Sequence, residues 1–362
     1  MRYRFLLLSL LPLAALAADD GPDVRIAAEP ATIRFERFGD HRALNFELRI
    51  DNRSDVAVAI DRLQVSAYDA KGELLLRRFV DGNGVRPSVQ TLGGRDIAAG
   101  DGLTVFNPFE RFPAELPIAR LSYRVELSNE DGSRKAARDI DVAPSDYRNG
   151  QSLRLPLAGR MINYDGHDLL GHHRRFDVHF APIAAMGFTR NFMRYSYDFV
   201  TVDKSGEMFA GSFARNEDWF GFGRPILSVG DGVVVAVAND EPDNRSFDQS
   251  RLAAEPMVLF GNYVLVDHGH GEFGVYAHAR QGSVRVRPGQ RVARGETLAA
   301  IGASGSAFFP HLHFQLQSAP GIDAEGLPSY FDGFSRVIGT ARMARQQATV
   351  DTGEIVEFVP AP

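Results

Sequence analysis

A short segment near the C-terminus, residues 310–316, constrains the fold more than any other part of the chain. Its sequence, PHLHFQL, alternates polar and apolar residues as a half-buried β-strand does. Because alternate residues of a strand point to the same side, His311 and His313 project into one space, and the apolar residues point into a core. Burying two imidazoles without partners is unfavourable, and a metal ion would satisfy both. The alternative is a pair of ordinary histidines on a solvated strand.

The sequence before this segment predicts further β-strands joined by tight turns. Residues 262–267 (NYVLVD) and 273–278 (FGVYAH) form the two strands of a predicted hairpin across a glycine-rich turn. Strand alternation places Tyr276 and His278 on one face. Residues 284–302 then alternate apolar side chains between two glycine-containing turns. The segment therefore reads as antiparallel β-structure throughout.

Taken in order, these segments resemble the catalytic core of the M23 (LytM/lysostaphin-type) zinc metallopeptidases. That family combines a Tyr-x-His strand, a V-x-x-G-x-x-V-x-x-G-x-x-I-G-x-x-G hairpin and a terminal His-Leu-His-Phe, and each piece is present here. The resemblance covers about residues 155–340. It implies an antiparallel β-sheet peptidase domain that binds a single zinc ion per chain. It also implies an endopeptidase, with the stem peptides or cross-bridges of peptidoglycan as the expected substrate.

The resemblance also implies which side chains bind the metal. Zinc in hydrolases takes three protein ligands and leaves a fourth position for water. The family draws these ligands from a His-x-x-x-Asp strand and from the second histidine of His-x-His. Asp198 and His313 match two of the three positions. The third position is occupied by Arg194 instead of histidine, which departs from the family pattern.

Two adjacent histidines upstream offer a replacement for the missing ligand. His172 and His173 precede Asp198 by a segment that reads as an insertion, residues 176–193. Some M23-like proteins place the ligand histidine before such an insertion and the aspartate after it. We therefore assign His173 as the first ligand, with His172 as the second choice. If neither binds metal, both are surface residues of a basic turn and the site is degenerate.

Two more histidines are expected to face the metal without binding it. The resemblance assigns this position to His278 and His311. One would deprotonate or orient the attacking water, and the other would hydrogen-bond the oxyanion. An imidazole suits both tasks because its pKa lies near neutrality.

The remaining histidines of the C-terminal half are expected to play no direct part. His268 and His270 fall in the predicted hairpin turn, where we expect both to be solvated. His167 and His179 are expected to flank the site rather than bind metal.

Two non-peptidase functions are compatible with parts of the pattern. The hairpin also resembles lipoyl and biotinyl carrier domains, but these need a lysine at the hairpin tip, and the chain's lysines are Lys71, Lys135 and Lys204. The main alternative is a catalytically inactive M23-like module that binds the cell wall or activates another wall hydrolase. Arg194 favours this alternative, whereas retention of the other site residues argues against it.

Length, charge and cysteine content restrict the partners. The 362 residues suffice for two domains. A net charge of −6 argues against a nucleic-acid partner. The absence of cysteine excludes disulfides, a thiol nucleophile, a zinc–thiolate site and lipoprotein attachment.

The N-terminus has the pattern of a secretory signal peptide, residues 1–17. Arg2 and Arg4 precede the apolar stretch 5–16, and Ala-Leu-Ala at 15–17 is a small-x-small cleavage site. The apolar stretch is short for a membrane span, although a short anchor is the alternative. We therefore expect an exported protein, periplasmic or extracellular, with no stable membrane anchor after cleavage.

Residues 24–146 differ in character from the rest of the chain. Short alternating strands at regular spacing predict an immunoglobulin-like β-sandwich without a catalytic cluster, available to a protein partner or a wall polymer. The predicted boundaries continue with a linker at 147–160, the peptidase domain at 161–340 and a C-terminal extension at 341–362. The polar run 239–248 is expected to form a loop at the rim of the active-site groove. The overall fold class is thus all-β.

Overall fold

A computed structural model describes residues 21–169 and 171–360 of the chain. It confirms the all-β fold class, since within these residues the regular structure is nearly all antiparallel strand and the α-helix is the five-residue α1 (Ala181–Ala185). The predicted signal peptide, residues 1–17, lies outside the described residues. No helix of the described part is long and apolar enough to span a bilayer.

The N-terminal β region, residues 24–146, folds around a core of its own. Along one of its central strands, Leu121, Tyr123, Val125 and Leu127 are buried and the residues between them are partly exposed, as strand alternation requires. Its strands are β1 (Val24–Glu29), β2 (Arg34–Phe38), β3 (His41–Leu44), β4 (Glu47–Asn52), β5 (Val58–Tyr68), β6 (Leu74–Asp81), β7 (Asp96–Ile97), β8 (Gly102–Phe106), β9 (Arg111–Pro113), β10 (Arg120–Ser128), β11 (Lys135–Val142) and β12 (Ser145–Asp146), with a 3₁₀ helix at Ser88–Leu92.

These strands form three sheets that share the core. The sheet orders are β1-β4-β8, β11-β10-β5-β6 with β7 beside β5, and β12-β2-β3-β9. All pairs are antiparallel except β12 with β2. The immunoglobulin-like topology remains a prediction.

The C-terminal half is organised by one long sheet. Its order is β19-β16-β17-β18-β21-β14-β13-β25-β23-β24, with β22 beside β21, and β15 and β20 pair separately. The strands are β13 (Gly159–Asp165), β14 (Tyr197–Thr201), β15 (Pro225–Leu227), β16 (Gly232–Ala238), β17 (Asn262–Asp267), β18 (Phe273–Ala279), β19 (Arg291–Val292), β20 (Thr297–Ala300), β21 (Leu312–Gln317), β22 (Gly326–Leu327), β23 (Phe334–Ile338), β24 (Ala341–Arg345) and β25 (Ile355–Phe358). Short 3₁₀ helices occur at His173–Arg175, Asn216–Asp218, Gln249–Arg251 and Pro256–Phe260.

The two faces of this sheet carry different side chains. One face covers the larger core, where the Tyr276 and Phe314 rings pack 5.2 Å apart. Leu153 and Leu155, from the segment predicted to be a linker, are buried in the same core. The opposite face of β18 and β21 carries the histidines described below. The sheet therefore separates a dry core from a polar site.

Candidate functional site

Strands β14 and β21 bring an aspartate and a histidine together. Asp198 lies directly opposite His313 in the antiparallel register, and Ala277 of β18 lies opposite His313 on its other side. Directly paired residues of neighbouring strands share a face. Asp198 Oδ1 accordingly lies 2.9 Å from His313 Nδ1. Both side chains are buried.

The first histidine of the His-x-His pair faces the same carboxylate. His311 Nε2 lies 3.5 Å from Asp198 Oδ1. His311 donates its Nδ1–H to the Phe309 carbonyl at 2.8 Å, so its Nε2 carries the free lone pair when the ring is neutral. The alternation of the sequence thus delivers both imidazoles to one space.

His278 reaches the site by an irregularity of its strand, which corrects the prediction that it shares a face with Tyr276. Strict alternation would point His278 into the core with Tyr276. Instead the β17–β18 register shifts at this point, and His278 takes the left-handed value φ 58°. Its ring therefore lies 4.8 Å from that of His311, and it donates its Nδ1–H to the Ser304 carbonyl at 2.8 Å.

The third predicted ligand comes from outside the sheet. His173 begins the 3₁₀ helix His173–Arg175 and is 2% exposed, with Nε2 at 3.6 Å from Asp198 Oδ1. His172 is exposed and its Nδ1 pairs with Asp165. Arg194 does not pair with Asp198; its guanidinium binds Glu47 and Glu325 instead. The five predicted site residues therefore lie around one point of the sheet. They are His173, Asp198, His278, His311 and His313.

Hydrogen bonds on the far side of each ring determine which nitrogen faces the site. A carbonyl can only accept, so His173 donates its Nδ1–H to Gly166 O at 3.1 Å and presents Nε2. His313 is held by two side-chain amides. Gln317 donates to the carbonyls of residues 319 and 321, so its oxygen accepts from Gln315, whose oxygen in turn accepts Nε2–H of His313 at 2.8 Å. His313 therefore presents Nδ1.

These two glutamines are site residues that the sequence reasoning missed. Gln315 and Gln317 are buried, and they continue the face of His311 and His313 along β21. The pattern His-x-His-x-Gln-x-Gln was the available indication, because polar residues at every second position of a buried strand need partners. Ser196 Oγ also donates to Gln315 Oε1, at 3.3 Å.

Burial and the Asp198 carboxylate act in opposite directions on the imidazoles of the site: burial opposes charge on His311, but Asp198 raises its pKa above the ordinary value. Burial alone would raise the pKa of Asp198, but the nearby His173 and His311 hold it well below its ordinary value. Burial lowers the pKa of His173 and of His278. Neutral imidazoles and an ionised carboxylate are the protonation states in which these groups bind metals.

The donor set fits a zinc ion. His173, Asp198 and His313 each offer one ligand atom, and these atoms lie within 4.8 Å of one another. Asp198 Oδ1 and His313 Nδ1 meet as two acceptors at 2.9 Å, an arrangement that needs a cation, either a proton or a metal ion. Two imidazole nitrogens and a carboxylate oxygen are a known zinc-hydrolase ligand set. Asp165 and His172 form a second, more exposed group with His173.

An apolar cleft opens onto these groups. It encloses about 490 Å³ and reaches from His173 to His278. The predicted rim loop contributes Arg245, Ser246 and Phe247 to its edge. Side chains of the inserted segment and of the 252–260 region form its wall: Phe176, Ile183, Met186, Phe188, Leu252 and Phe260. A substrate in this cleft would place apolar groups beside the polar cluster.

The other histidines occupy different surroundings, and one prediction is wrong. His268 is buried rather than solvated, because its Nδ1 bonds to Asp231 O at 2.9 Å and its Nε2 to Tyr276 OH at 3.1 Å. His270 is exposed, as expected. His167 is buried against Glu36.

Residues 218–323 match the sequence model of Peptidase family M23. The chain contains an M23 domain. His278, His311 and His313 fall inside the matched stretch, whereas His173 and Asp198 precede it. The match confirms the family resemblance of the β17–β21 segment.

Curated relatives are similar to less than a third of this chain. The chain is 34% identical over 106 residues to the cell division protein DipM of Caulobacter vibrioides, covering 29% of this chain and 14% of DipM. It is 33% identical over 94 residues to the peptidoglycan DD-endopeptidase ShyA of Vibrio cholerae, covering 26% of this chain and 17% of ShyA. The matched stretches are thus a small part of these relatives' own length.

Solved structures that the chain resembles are more distant in sequence. A zinc-containing peptidase from Vibrio cholerae is 14% identical, with 78% of this chain and 81% of that chain covered and a TM-score of 0.24. The catalytic domain of lysostaphin from Staphylococcus simulans is 18% identical, with 33% and 86% covered and a TM-score of 0.22.

Proposed function

We propose that this chain is an exported zinc metalloendopeptidase that hydrolyses peptide bonds in peptidoglycan. The observation that carries the proposal is the convergence of His173 Nε2, Asp198 Oδ1 and His313 Nδ1, with the first and last held in metal-binding tautomers by second hydrogen bonds. In the tautomer that Gln315 favours, His313 and Asp198 oppose two acceptor atoms at 2.9 Å in a buried site. A bound cation removes that conflict.

The remaining histidines supply proton transfer next to the proposed ligands. When bound, zinc would polarise the scissile carbonyl and lower the pKa of a water. His278 and His311 both direct their Nδ1–H away to backbone carbonyls, which leaves each Nε2 pointing into the cleft. One Nε2 accepts the proton of the attacking water, and the other, once protonated, donates to the developing oxyanion.

The substrate class rests on the relatives. ShyA and two further Vibrio cholerae relatives are named peptidoglycan DD-endopeptidases, which supports a peptide bond of peptidoglycan as the target. Such a substrate lies outside the cytoplasm, in agreement with the predicted signal peptide. We propose residues 161–340 as the peptidase domain.

The rival function, an inactive wall-binding module, loses its main support in this arrangement. Arg194 replaces the expected histidine, but it is engaged with Glu47 and Glu325, and His173 lies where a ligand is needed. The departure from the family pattern is therefore compatible with a complete ligand set.

Metal content and hydrolysis of the purified mature protein test the proposal. We expect one zinc per chain by elemental analysis and soluble peptides released from purified peptidoglycan. His313→Ala should abolish both, whereas His270→Ala, a change at an exposed histidine, should affect neither. Wild-type protein that holds no zinc after zinc is added back would instead favour the inactive module.

A further inference from the structure

The segment that carries His173 has little regular structure to position it. Residues 166–194 connect β13 to β14 and contain one 3₁₀ turn and the helix α1. Ligands on β14 and β21 are held by strand pairing, but His173 is not. A ligand outside the sheet needs another source of rigidity, because productive metal binding demands fixed geometry.

Buried carboxylates of the N-terminal β region bind this segment at three separated points, and Glu29 pairs with the partly exposed His179. Each of the three buried pairs joins an acid to a basic residue, and each crosses between the two halves of the chain. These three pairs are Glu36 with His167, Glu110 with Arg174, and Glu47 with Arg194. They contact the segment near its start, beside the ligand and at its end.

The pair of Glu110 with Arg174 lies nearest to the proposed ligand His173 in the chain. Arg174 follows His173 in the chain and is 1% exposed. Its guanidinium bonds to Glu110 and donates to the Asn107 carbonyl at 3.1 Å. Asn191 then donates to the His173 carbonyl at 3.1 Å, from the far end of the same segment.

The pair at the end of the segment, Glu47 with Arg194, is bidentate. Arg194 binds both oxygens of Glu47, with Nη2 to Oε1 at 2.8 Å, and its Nε binds Glu325. Asn45 of the same N-terminal strand region donates to the Arg194 carbonyl at 2.7 Å. Bidentate pairing fixes direction as well as distance.

Buried pairs of this kind indicate specificity of position more than stability. Replacing a buried ion pair by apolar residues of the same volume is often neutral or stabilising, so the directional contacts of these pairs explain them better than stability does. Charges buried in three places permit one register of the segment against the N-terminal β region.

We propose that the N-terminal β region positions the metal ligand His173, with Glu47 and Glu110 as positioning residues that act through Arg194 and Arg174. The metal site is then shared between the two halves of the chain: the sheet supplies Asp198 and His313, and the N-terminal β region holds the third ligand in place. The inference rests on the proposed function only in treating His173 as a ligand.

The test compares single substitutions in the full-length protein. Glu47→Gln and Glu110→Gln remove one charge each without changing shape. In the metal-free protein, hydrogen exchange should become faster in residues 166–176 and stay unchanged in β17 and β18. Zinc affinity, measured by competition with a chelator, should fall by about 10–100-fold, the usual effect of losing support behind a ligand.

Two further variants separate positioning from general damage. Glu272→Gln alters an equally buried carboxylate, which accepts from Tyr147 OH at 2.6 Å and does not touch the segment, and should leave exchange of 166–176 and zinc affinity unchanged. Glu47→Asp keeps the charge but shortens the side chain, so it should recover part of the affinity lost in Glu47→Gln.

The outcomes are decisive in both directions. Unchanged exchange in 166–176, unchanged zinc affinity, or faster exchange across β17 and β18 as well would each overturn the proposal. If the wild-type protein binds no zinc, the proposed function fails, yet faster exchange confined to 166–176 still supports positioning by the N-terminal β region.

Discussion

Replacing Gln315 by leucine should weaken zinc binding without touching a ligand. Gln315 is fully buried, and its oxygen accepts Nε2–H of His313 at 2.8 Å. Leucine leaves that N–H unpaired, which costs about 1–3 kcal/mol in a buried site. Alternatively, the proton moves to Nδ1, and the lone pair of His313 then lies on Nε2, on the side of the ring away from Asp198 and the proposed metal position.

An unpaired Nε2–H and a change of tautomer both predict a loss of zinc affinity of the same size. Loss of a hydrogen bond behind a ligand lowers metal affinity by about 10–100-fold, which corresponds to about 1.4–2.8 kcal/mol and agrees with the unpaired N–H cost. Competition with a chelator of known affinity at fixed pH measures it. Gln315→Glu is the comparison variant: its carboxylate still accepts from His313 but no longer donates to Gln317, so it should retain more zinc affinity than Gln315→Leu. Wild-type affinity in Gln315→Leu would refute the assignment of Nδ1 as the ligand atom.

Three further predictions concern the histidines. His173→Ala should lose zinc while His172→Ala keeps most of it; full zinc in both variants would contradict the ligand assignment. His278→Ala and His311→Ala should retain zinc and lose about 10²–10⁴-fold in peptidoglycan hydrolysis, and loss of zinc in the His311 variant would mean that the two strand histidines exchange roles. Burial opposes charge on His167, but its carboxylate partner raises its pKa to about 9. Its contribution to stability is therefore complete below the unfolded-state pKa of about 6.5 and is lost as the pH rises through 9. Urea unfolding across this range measures the loss, which should be absent in His167→Gln.

Features that follow from short-range periodicity could be predicted from the sequence. The alternation around His311 and His313 is a local property of a strand, and both rings do face one space. Strand content and the all-β class follow from similar patterns. The choice of Asp198 and His173 came from a family resemblance, and the structure brings both beside His313.

Features that depend on a single backbone angle, or on partners far away in the chain, could not be predicted from the sequence. His278 turns toward the site through φ 58° at a strand irregularity, which no periodic pattern encodes. His268 lies in a turn by sequence, but its ring hydrogen-bonds to Tyr276 OH of β18 and to the carbonyl of Asp231, which precedes β16. From the sequence, Arg194 indicated a lost metal ligand. Its actual partner, Glu47, could not be recognised because it lies 147 residues earlier in the chain.

The pairing of Glu47 with Arg194 has a consequence for how such a protein can evolve. A mutation of either residue alone leaves an unpaired charge in a buried interface, which strongly destabilises the fold. The two positions are therefore expected to change together. Recombination that exchanged the N-terminal half would therefore keep Arg194 paired only where the incoming half also carries an acid at the position of Glu47.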